Sequence, residues 1–307
     1  MIKKLFFLLV AIGFYSATQA QSFKPSTEVG VFLGTSYYMG DLNENHFSQA
    51  QPALGLMYRR NFNRRFTLKA SAWKGELRGN DKLNNVDTAK INRNLHFKSP
   101  VVELSGQVEF NFLPYETGSP KYPFSPFIFT GISFYQFNPQ AREFDTQNPF
   151  DNDGVGTSNE WVELQHLGTE GQHSTHYPEK DPYMLQQFAI PLGVGFKLSL
   201  GEKFSMVAEY GIRKTFTDYL DDVGGTYADP QFLYMENPTA ANLSDTSLEL
   251  VDPEDGFLAQ NPGADITAWT ENVGKQRADA NNWNDWYVFA GITLSFKIVS
   301  TPKVCQY

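Results

Sequence analysis

Eight stretches of alternating apolar and polar residues constrain the fold of this chain more than any other feature of its sequence. The clearest covers residues 102–112, where Val102, Leu104 and Val108 alternate with polar residues that include Glu103 and Glu109. A period of two places the two sets on opposite faces of a β-strand. A strand of about 11 residues is long enough to cross a bilayer at a tilt, with its apolar face toward lipid and its polar face toward a lumen.

The connections between these stretches alternate in length. The predicted strands cover residues 28–38, 53–61, 66–73, 102–112, 126–137, 188–198, 204–212 and 288–298. Short links at 61–65, 113–124 and 201–203 alternate with long ones at 39–52, 74–98, 138–185 and 218–285. The sequence therefore predicts an all-β fold: an eight-stranded antiparallel transmembrane β-barrel with short periplasmic turns, long extracellular loops and both termini in the periplasm. A soluble β-sandwich is the alternative, but it rarely shows this asymmetry.

The N-terminus predicts export. Lys3 and Lys4 precede an apolar run over residues 5–15, and the small residues Thr18 and Ala20 precede a cleavage site. This pattern is typical of a Sec signal peptide, because the run is too short for a transmembrane helix. The predicted organisation is a signal peptide at 1–20, a barrel in the outer membrane at 21–299 and a periplasmic tail at 300–307.

Charge and composition narrow the function classes. The formal net charge of −9 argues against a nucleic-acid partner, which requires a basic face. A single cysteine excludes disulfide scaffolds and cysteine-based zinc sites, and no cofactor is expected. Opposite charges on the lumen faces predict a hydrogen-bonded plug rather than an open pore, because an eight-stranded barrel is narrow and unpaired buried charge is costly. The residues in question are Lys69, Glu103, Glu109, Lys197, Arg213 and Lys297.

Glycines fall inside several predicted strands, where they normally weaken pairing. In a tightly curved barrel they relieve crowding or permit bends, so we expect a structural role for them. They are Gly30, Gly34, Gly193, Gly195 and Gly291.

An acidic cluster and a histidine pair in the long loops invite functional interpretations. Asp218, Asp221, Asp222 and Asp229 lie at a spacing that suits Ca²⁺, yet carboxylates in turns also cap backbone amides or pair with cations, and we favour this structural use. His173 and His176 flank a serine and a threonine, but nothing in the pattern fixes a nucleophile, and two histidines alone are insufficient for zinc. We expect the chain not to be an enzyme.

The single cysteine, Cys305, follows the last predicted strand in the predicted periplasmic tail. An unpaired cysteine in an oxidising compartment indicates an intermolecular disulfide or an exposed reactive thiol. The alternatives are a buried thiol in a disordered tail and a thiol capped by a small thiol.

Several segments resemble the outer-membrane barrel family typified by PorG, a component of the type IX secretion system. They are EVGVFLGTSYYMGDLN (28–43), NRNLHFKSPVVELSGQVEFNF (92–112), LGTEGQ (167–172), IPLGVGFK (190–197), RKTFTDYLDDVGGTYADP (213–230) and NDWYVFAGITLSFK (284–297). The resemblance covers about a third of the mature chain and leaves residues 139–163 and 232–269 unmatched. It implies a non-enzymatic component that anchors the periplasmic ring of the secretion system, a ring built from a lipoprotein and a partner protein.

Candidate contacts with the ring follow from that resemblance. The ring lipoprotein is the expected disulfide partner of Cys305, and Arg64 and Arg65, in the first short turn, are expected to pair with acidic groups of the ring. The two arginines also suit solvated turn positions or a role in fixing membrane orientation. The alternative functions are a small outer-membrane channel and a lipid-modifying barrel enzyme.

Overall fold

A computed structural model describes residues 23–83, 90, 93–142, 160–246, 272–278 and 284–298. The predicted signal peptide, the predicted tail with Cys305 and parts of three long connections lie outside these residues. Ten strands and two short helices are described in these ranges. They are β1 (Ser26–Met39), β2 (Gln51–Asn61), β3 (Phe66–Asn80), β4 (His96–Asn111), β5 (Phe124–Phe137), β6 (Gln140–Arg142), β7 (Trp161–Glu163), β8 (Gln186–Ser199), β9 (Phe204–Lys214), β10 (Trp286–Ile298), α1 (Pro230–Glu236) and α2 (Pro238–Ser244).

The eight long strands form a closed antiparallel barrel. Each pairs with its neighbour in the order β1, β2, β3, β4, β5, β8, β9, β10, and β10 pairs with β1 from Thr27–Ile298 to Met39–Trp286. The predicted eight-stranded antiparallel barrel is therefore confirmed. The short strands β6 and β7 pair with each other. β6 also joins the N-terminal end of β4, where Gln140 pairs with Lys98.

Side chains alternate between the two faces of the wall as predicted. Outward residues such as Val31, Leu56 and Leu104 are about half exposed, whereas lumen residues such as Arg59 and Glu109 have no exposed surface. On β4 the outward apolar positions run from Phe110 to Pro100, which is about 34 Å along the strand and about 26 Å along the barrel axis at a tilt of 40°. That height matches the apolar belt of an outer-membrane barrel, which is about 25 Å tall.

The two ends of the barrel differ. The short-turn end carries the links at 62–65, 112–123 and 200–203. The first residues of β1 and the last residues of β10 also lie there. The long-loop end carries the other four connections. One of these, predicted as a loop over 74–98, is strand at both ends, over residues 74–80 and 96–98, where β3 and β4 stay paired from Lys74–Val102 to Asn80–His96. Leu77 and Phe97 face inward there and are buried, so the hairpin projects beyond the apolar belt.

Inward glycines accommodate aromatic rings against the wall, in agreement with their predicted structural role. A Cβ atom on Gly193 would lie 2.3 Å from Cζ of Phe129, and one on Gly34 would lie 2.6 Å from Cζ of Phe32. Real Cβ atoms do not approach so closely, so these rings lie flat only because the opposing positions have no side chain. Among the described residues, no helix has the length and apolar character needed to cross a membrane.

Candidate functional site

The lumen near the short-turn end holds a network of buried ion pairs. The Glu109 carboxylate accepts hydrogen bonds from Nε of Arg59 at 3.0 Å and from Nζ of Lys197 at 2.6 Å, and lies 3.7 Å from Nζ of Lys69. Arg59 also contacts Glu28 at 3.4 Å, and Lys69 contacts Glu209 at 3.0 Å. The lumen network thus balances three cations against three carboxylates, and each side chain is almost fully buried. It confirms the predicted pairing of charges inside the barrel.

A second ion pair lies one layer farther toward the long-loop end. Nε of Arg213 donates to the Glu103 carboxylate at 3.1 Å, and the hydroxyl of Tyr287 donates to the same carboxylate at 2.8 Å. Phe289 covers the Arg213 guanidinium at 4.8 Å. The lumen network, the Arg213–Glu103 pair and the aromatic rings between them fill the barrel, so these lumen residues have almost no contact with solvent.

Residues 112–123 close the short-turn end. Tyr115 and Thr117 are buried, and the Thr117 hydroxyl donates to the Glu28 carboxylate at 2.7 Å, so the link is tied to the lumen network. Nζ of Lys297, which was predicted on the polar side of its strand, donates to the Thr117 carbonyl at 2.7 Å. The sequence pattern did not indicate this contact, because nothing local distinguishes an inserted link from a solvated turn.

The two arginines predicted to bind a partner lie at this end. Arg64 donates to the Glu116 carboxylate at 2.9 Å and stacks on Tyr122 at 4.5 Å, whereas Arg65 donates to the Phe112 carbonyl at 2.8 Å and its side chain is exposed. The Arg64 guanidinium therefore already has partners within the chain, whereas Arg65 exposes more of its surface to solvent. Their contact with a partner stays a prediction, as does that of Cys305, which lies outside the described residues.

Three of the four aspartates of the acidic cluster, Asp221, Asp222 and Asp229, have hydrogen-bond partners in different parts of the long loops and strands. Asp229 caps α1 by accepting from the Gln231 amide, and Asp222 accepts from Thr169 and from the Tyr183 hydroxyl. No group of three potential metal ligands occurs within the described residues, which include the whole cluster. The arrangement agrees with the structural use favoured from the sequence.

The carboxylates of Asp221 and Asp285, which are distant in sequence, both contact the hydroxyl of Tyr38. The Tyr38 oxygen lies 2.6 Å from the Asp221 carboxylate and 2.7 Å from that of Asp285. A tyrosine has one proton to donate, so the second short contact requires a proton on a carboxyl group. Burial and the neighbouring carboxylates of Asp221 and Asp41 raise the pKa of Asp285 well above its usual range. Burial and Asp41 raise the pKa of Asp221 in the same way.

Arg277 joins three long-loop segments and was not identified from the sequence. Its guanidinium lies 3.3 Å from Glu170 and 3.8 Å from Asp222, and donates to the main-chain carbonyl of Ser244 at 3.1 Å. Burial raises the pKa of Asp222 to about 6, although the nearby Arg277 charge opposes this shift. The contacts join residues more than 30 positions apart, so no local pattern reveals them.

The two loop histidines have structural contacts. The ring of His176 stacks on Phe232 with centroids 4.0 Å apart and lies 3.5 Å from Glu236. The ring of His173 contacts the Gln165 carbonyl at 3.0 Å. The Ser174 hydroxyl accepts a hydrogen bond from the His176 main-chain amide, so the two residues are linked through the backbone rather than through the imidazole.

Comparisons with known proteins give a match to one family model and no indication of an activity. Residues 3–155, about half of the chain, match the model of a family described as a domain of unknown function, DUF6089. No curated protein matches the sequence.

Solved outer-membrane barrels resemble the chain over most of its length. Ail of Yersinia pestis is 7% identical, with a TM-score of 0.38, and the match covers 90% of this chain and 100% of that one. Neisserial surface protein A is 8% identical, with a TM-score of 0.37 and the same coverage. OprG of Pseudomonas aeruginosa is 10% identical, with a TM-score of 0.31, covering 90% of this chain and 95% of that one. The assignment of the fold rests on the strand pairings of this chain.

Proposed function

We propose that the chain is a non-enzymatic outer-membrane component of the type IX secretion system that anchors the periplasmic ring. In this proposal the short-turn end faces the periplasm and binds the ring, while the apolar wall holds the barrel in the bilayer. The observation that carries the proposal is the charge of the short-turn end, since it is opposite in sign to that of the whole chain.

The described part of the short-turn end is basic. Two glutamates lie there, Glu116 and Glu202, and Glu116 is already paired with Arg64. The chain as a whole has a formal net charge of −9, so this basic end is a local feature. A rim of this sign attracts and orients an acidic protein surface. Seven lysines and arginines form the rim: Lys24, Arg60, Arg64, Arg65, Lys121, Lys203 and Lys297.

The tail with Cys305 is expected to emerge at the same end. Ile298, the last residue of β10, pairs with Thr27 at the short-turn end. Cys305 follows seven residues later and is therefore within about 25 Å of the rim in the most extended chain. A disulfide from this position to the ring lipoprotein would reinforce the electrostatic contact, and the oxidising periplasm permits it.

The filled lumen favours an anchor over a channel. Opening a path along the axis would separate ion pairs that are fully buried, and removing one partner from such a pair typically costs about 3–5 kcal/mol. We therefore expect little conductance from the purified protein in planar bilayers. Large, stable conductance would favour the channel alternative. A change in the mass of lipid A on expression would favour the lipid-modifying enzyme.

The decisive experiment separates rim charge from the cysteine. The double variant Lys121→Glu/Lys203→Glu is compared with the double variant Lys214→Glu/Lys275→Glu. The second makes the same charge change at exposed positions of the long-loop end. We expect co-purification of the ring lipoprotein to fall for the first pair and to persist for the second. Equal recovery with both pairs would contradict docking through the basic rim.

Non-reducing electrophoresis of native outer membranes tests the disulfide. Wild type is compared with Cys305→Ser, and any reducible band is identified by mass spectrometry. A Cys305-dependent adduct that contains the ring lipoprotein supports anchoring and the periplasmic tail together. If no adduct forms and the variant secretes at the wild-type level, Cys305 has no essential role.

A further inference from the structure

A cationic aromatic groove lies at the outer surface of the long-loop end. The Trp161 ring of β7 has Nζ of Lys98 at 4.2 Å from its centroid and Cζ of Arg142 at 4.9 Å. The main-chain amide of Arg142 donates to Nε2 of His96, which fixes β6 against β4. Within the described residues, neither Lys98 nor Arg142 makes an ion pair with a carboxylate. Among the described residues, two cations therefore flank one indole ring without an ion-paired carboxylate.

The groove lies where lipid headgroups meet the barrel. Lys98 has the outward orientation of Val102 and Pro100 on β4, and it pairs across the sheet with Arg78 of β3. It is two residues beyond Pro100, or about 5 Å farther along the axis at a tilt of 40°. The headgroup layer extends about 5–7 Å beyond the hydrocarbon core on each side of a bilayer. Lys98 is thus level with headgroup phosphates, directly above an apolar wall, and Arg142, two residues beyond Gln140 on β6, lies about 5 Å farther out.

The lining adds groups that recognise sugars. A cavity of about 490 Å³ is lined by Arg78, Arg142 and Trp161, with amide side chains beside them. Amides donate and accept hydrogen bonds with hydroxyl groups, a tryptophan face packs on a sugar ring, and cations bind phosphate oxygens. Arg142 lines the cavity, Lys98 lies beside it on the same Trp161 ring, and Arg78 is paired with Glu76. The amides with exposed surface are Gln49, Gln51 and Asn80, whereas Asn94 is buried and donates to the Thr246 carbonyl.

We propose that this groove binds the phosphorylated sugar headgroup of an outer-leaflet lipid, with the lipid's acyl chains on the apolar wall of β3, β4 and β5. Two observations select a lipid over a free anion: the cations point outward from the barrel, and apolar side chains continue the same face below them. The binding is independent of ring anchoring, since it uses the opposite end of the barrel.

The opposite wall provides a matched control. Lys214 and Trp286 are cross-strand partners on β9 and β10, and Nζ of Lys214 lies 5.9 Å from the Trp286 ring. This pair has one lysine and one tryptophan at the same rim, without a second cation within the described contacts. A general attraction of rim lysines to anionic lipid would involve it as much as the groove.

The test measures retention of diphosphorylated lipid A by the full-length protein in zwitterionic detergent, using native mass spectrometry. Variants are Lys98→Gln with Arg142→Gln, Trp161→Leu, and the control Lys214→Gln; a heat-dependent gel shift verifies that each is folded. We expect at least a tenfold loss of affinity for the double variant, a smaller loss for Trp161→Leu and no change for Lys214→Gln.

Three results would overturn the proposal. The first is equal retention by wild type and the double variant, and the second is an equal loss with Lys214→Gln. The third is binding of inorganic phosphate as strong as that of diphosphorylated lipid A, which would identify a free-anion site. Dephosphorylated lipid A is expected to bind wild type as weakly as the double variant binds the diphosphorylated form.

Discussion

Replacing Glu109 by glutamine tests whether the balanced lumen network stabilises the barrel. Glu109 is the only carboxylate in that network that faces all three of its cations, at 3.0 Å from Arg59, 2.6 Å from Lys197 and 3.7 Å from Lys69. Glutamine keeps the size of the side chain and removes the charge. The variant leaves three buried cations opposite two carboxylates, Glu28 and Glu209.

The expected cost follows from burial and distance. At an effective dielectric constant of about 20, charges about 3 Å apart interact with about 5 kcal/mol, most of which offsets the desolvation of the ions. Removing one partner from a buried pair costs about 3–5 kcal/mol. Because three cations lose the same carboxylate, we expect Glu109→Gln to lower the free energy of unfolding by an amount near the upper limit of that range.

A second substitution separates charge balance from packing. Lys197→Met in the Glu109→Gln background restores equal numbers of buried charges, and methionine places an unbranched apolar side chain beside the Phe127 ring that the Lys197 ammonium contacts. We expect the double variant to recover at least about 2 kcal/mol, since residues in one buried network couple by about 0.5–3 kcal/mol. Glu202→Gln, an exposed turn position, is the control and is expected to change stability by less than about 0.5 kcal/mol.

Urea unfolding of the refolded barrel in lipid vesicles, followed by tryptophan fluorescence, gives the free energies. If Glu109→Gln costs no more than Glu202→Gln, the network does not contribute to stability. If the double variant is as unstable as the sum of the single variants, the ions act independently and charge balance is the wrong explanation.

Three further perturbations test other parts of the structure. Gly193→Val places a Cβ atom against the Phe129 ring and is expected to cost at least about 3 kcal/mol, whereas Gly106→Ala, with no atom within 4 Å, is expected to be neutral in the same urea assay. Arg277→Met leaves the buried carboxylates of Glu170 and Asp222 without this cation. Limited proteolysis should therefore cut the long loops faster, while the heat-dependent gel shift of the barrel persists. The raised pKa of Asp285 implies that its stabilising effect is complete at acid pH and is lost as the pH rises through that pKa; Asp285→Asn should therefore make the protection of the amides of residues 218–223 against exchange less dependent on pH above the ordinary range of a carboxyl group.

The strands and their faces followed from the sequence because alternation is local. Each predicted strand lies within or next to an observed one, including residues 126–137, which are apolar on both faces. Boundaries at the long-loop end were less accurate, since residues 74–80 contain only one large apolar residue, Leu77. Their strand conformation depends on the cross-strand partners of β4, which a single segment does not reveal.

The contacts of the polar residues were only partly predictable. Periodicity places Glu103, Glu109 and Arg213 inside the barrel, and the small diameter requires them to pair. It does not reveal which strands bring partners together, and Arg59 and Glu209 were therefore missed. The same limit applies to the contact of Arg277 with Glu170, whose partners lie 107 residues apart.

The distribution of charge restricts where this barrel can act. In the lumen, opposite charges neutralise each other at distances of 2.6–3.7 Å, so an incoming ion would have to break an existing pair. At both rims, in contrast, cations such as Lys203 and Lys98 lack a carboxylate partner within the described residues. A cation without such a partner is available to a ligand at little desolvation cost, whereas a buried pair is not. Recognition by this protein is therefore expected at its rims, with the filled lumen holding the two rims at a fixed separation.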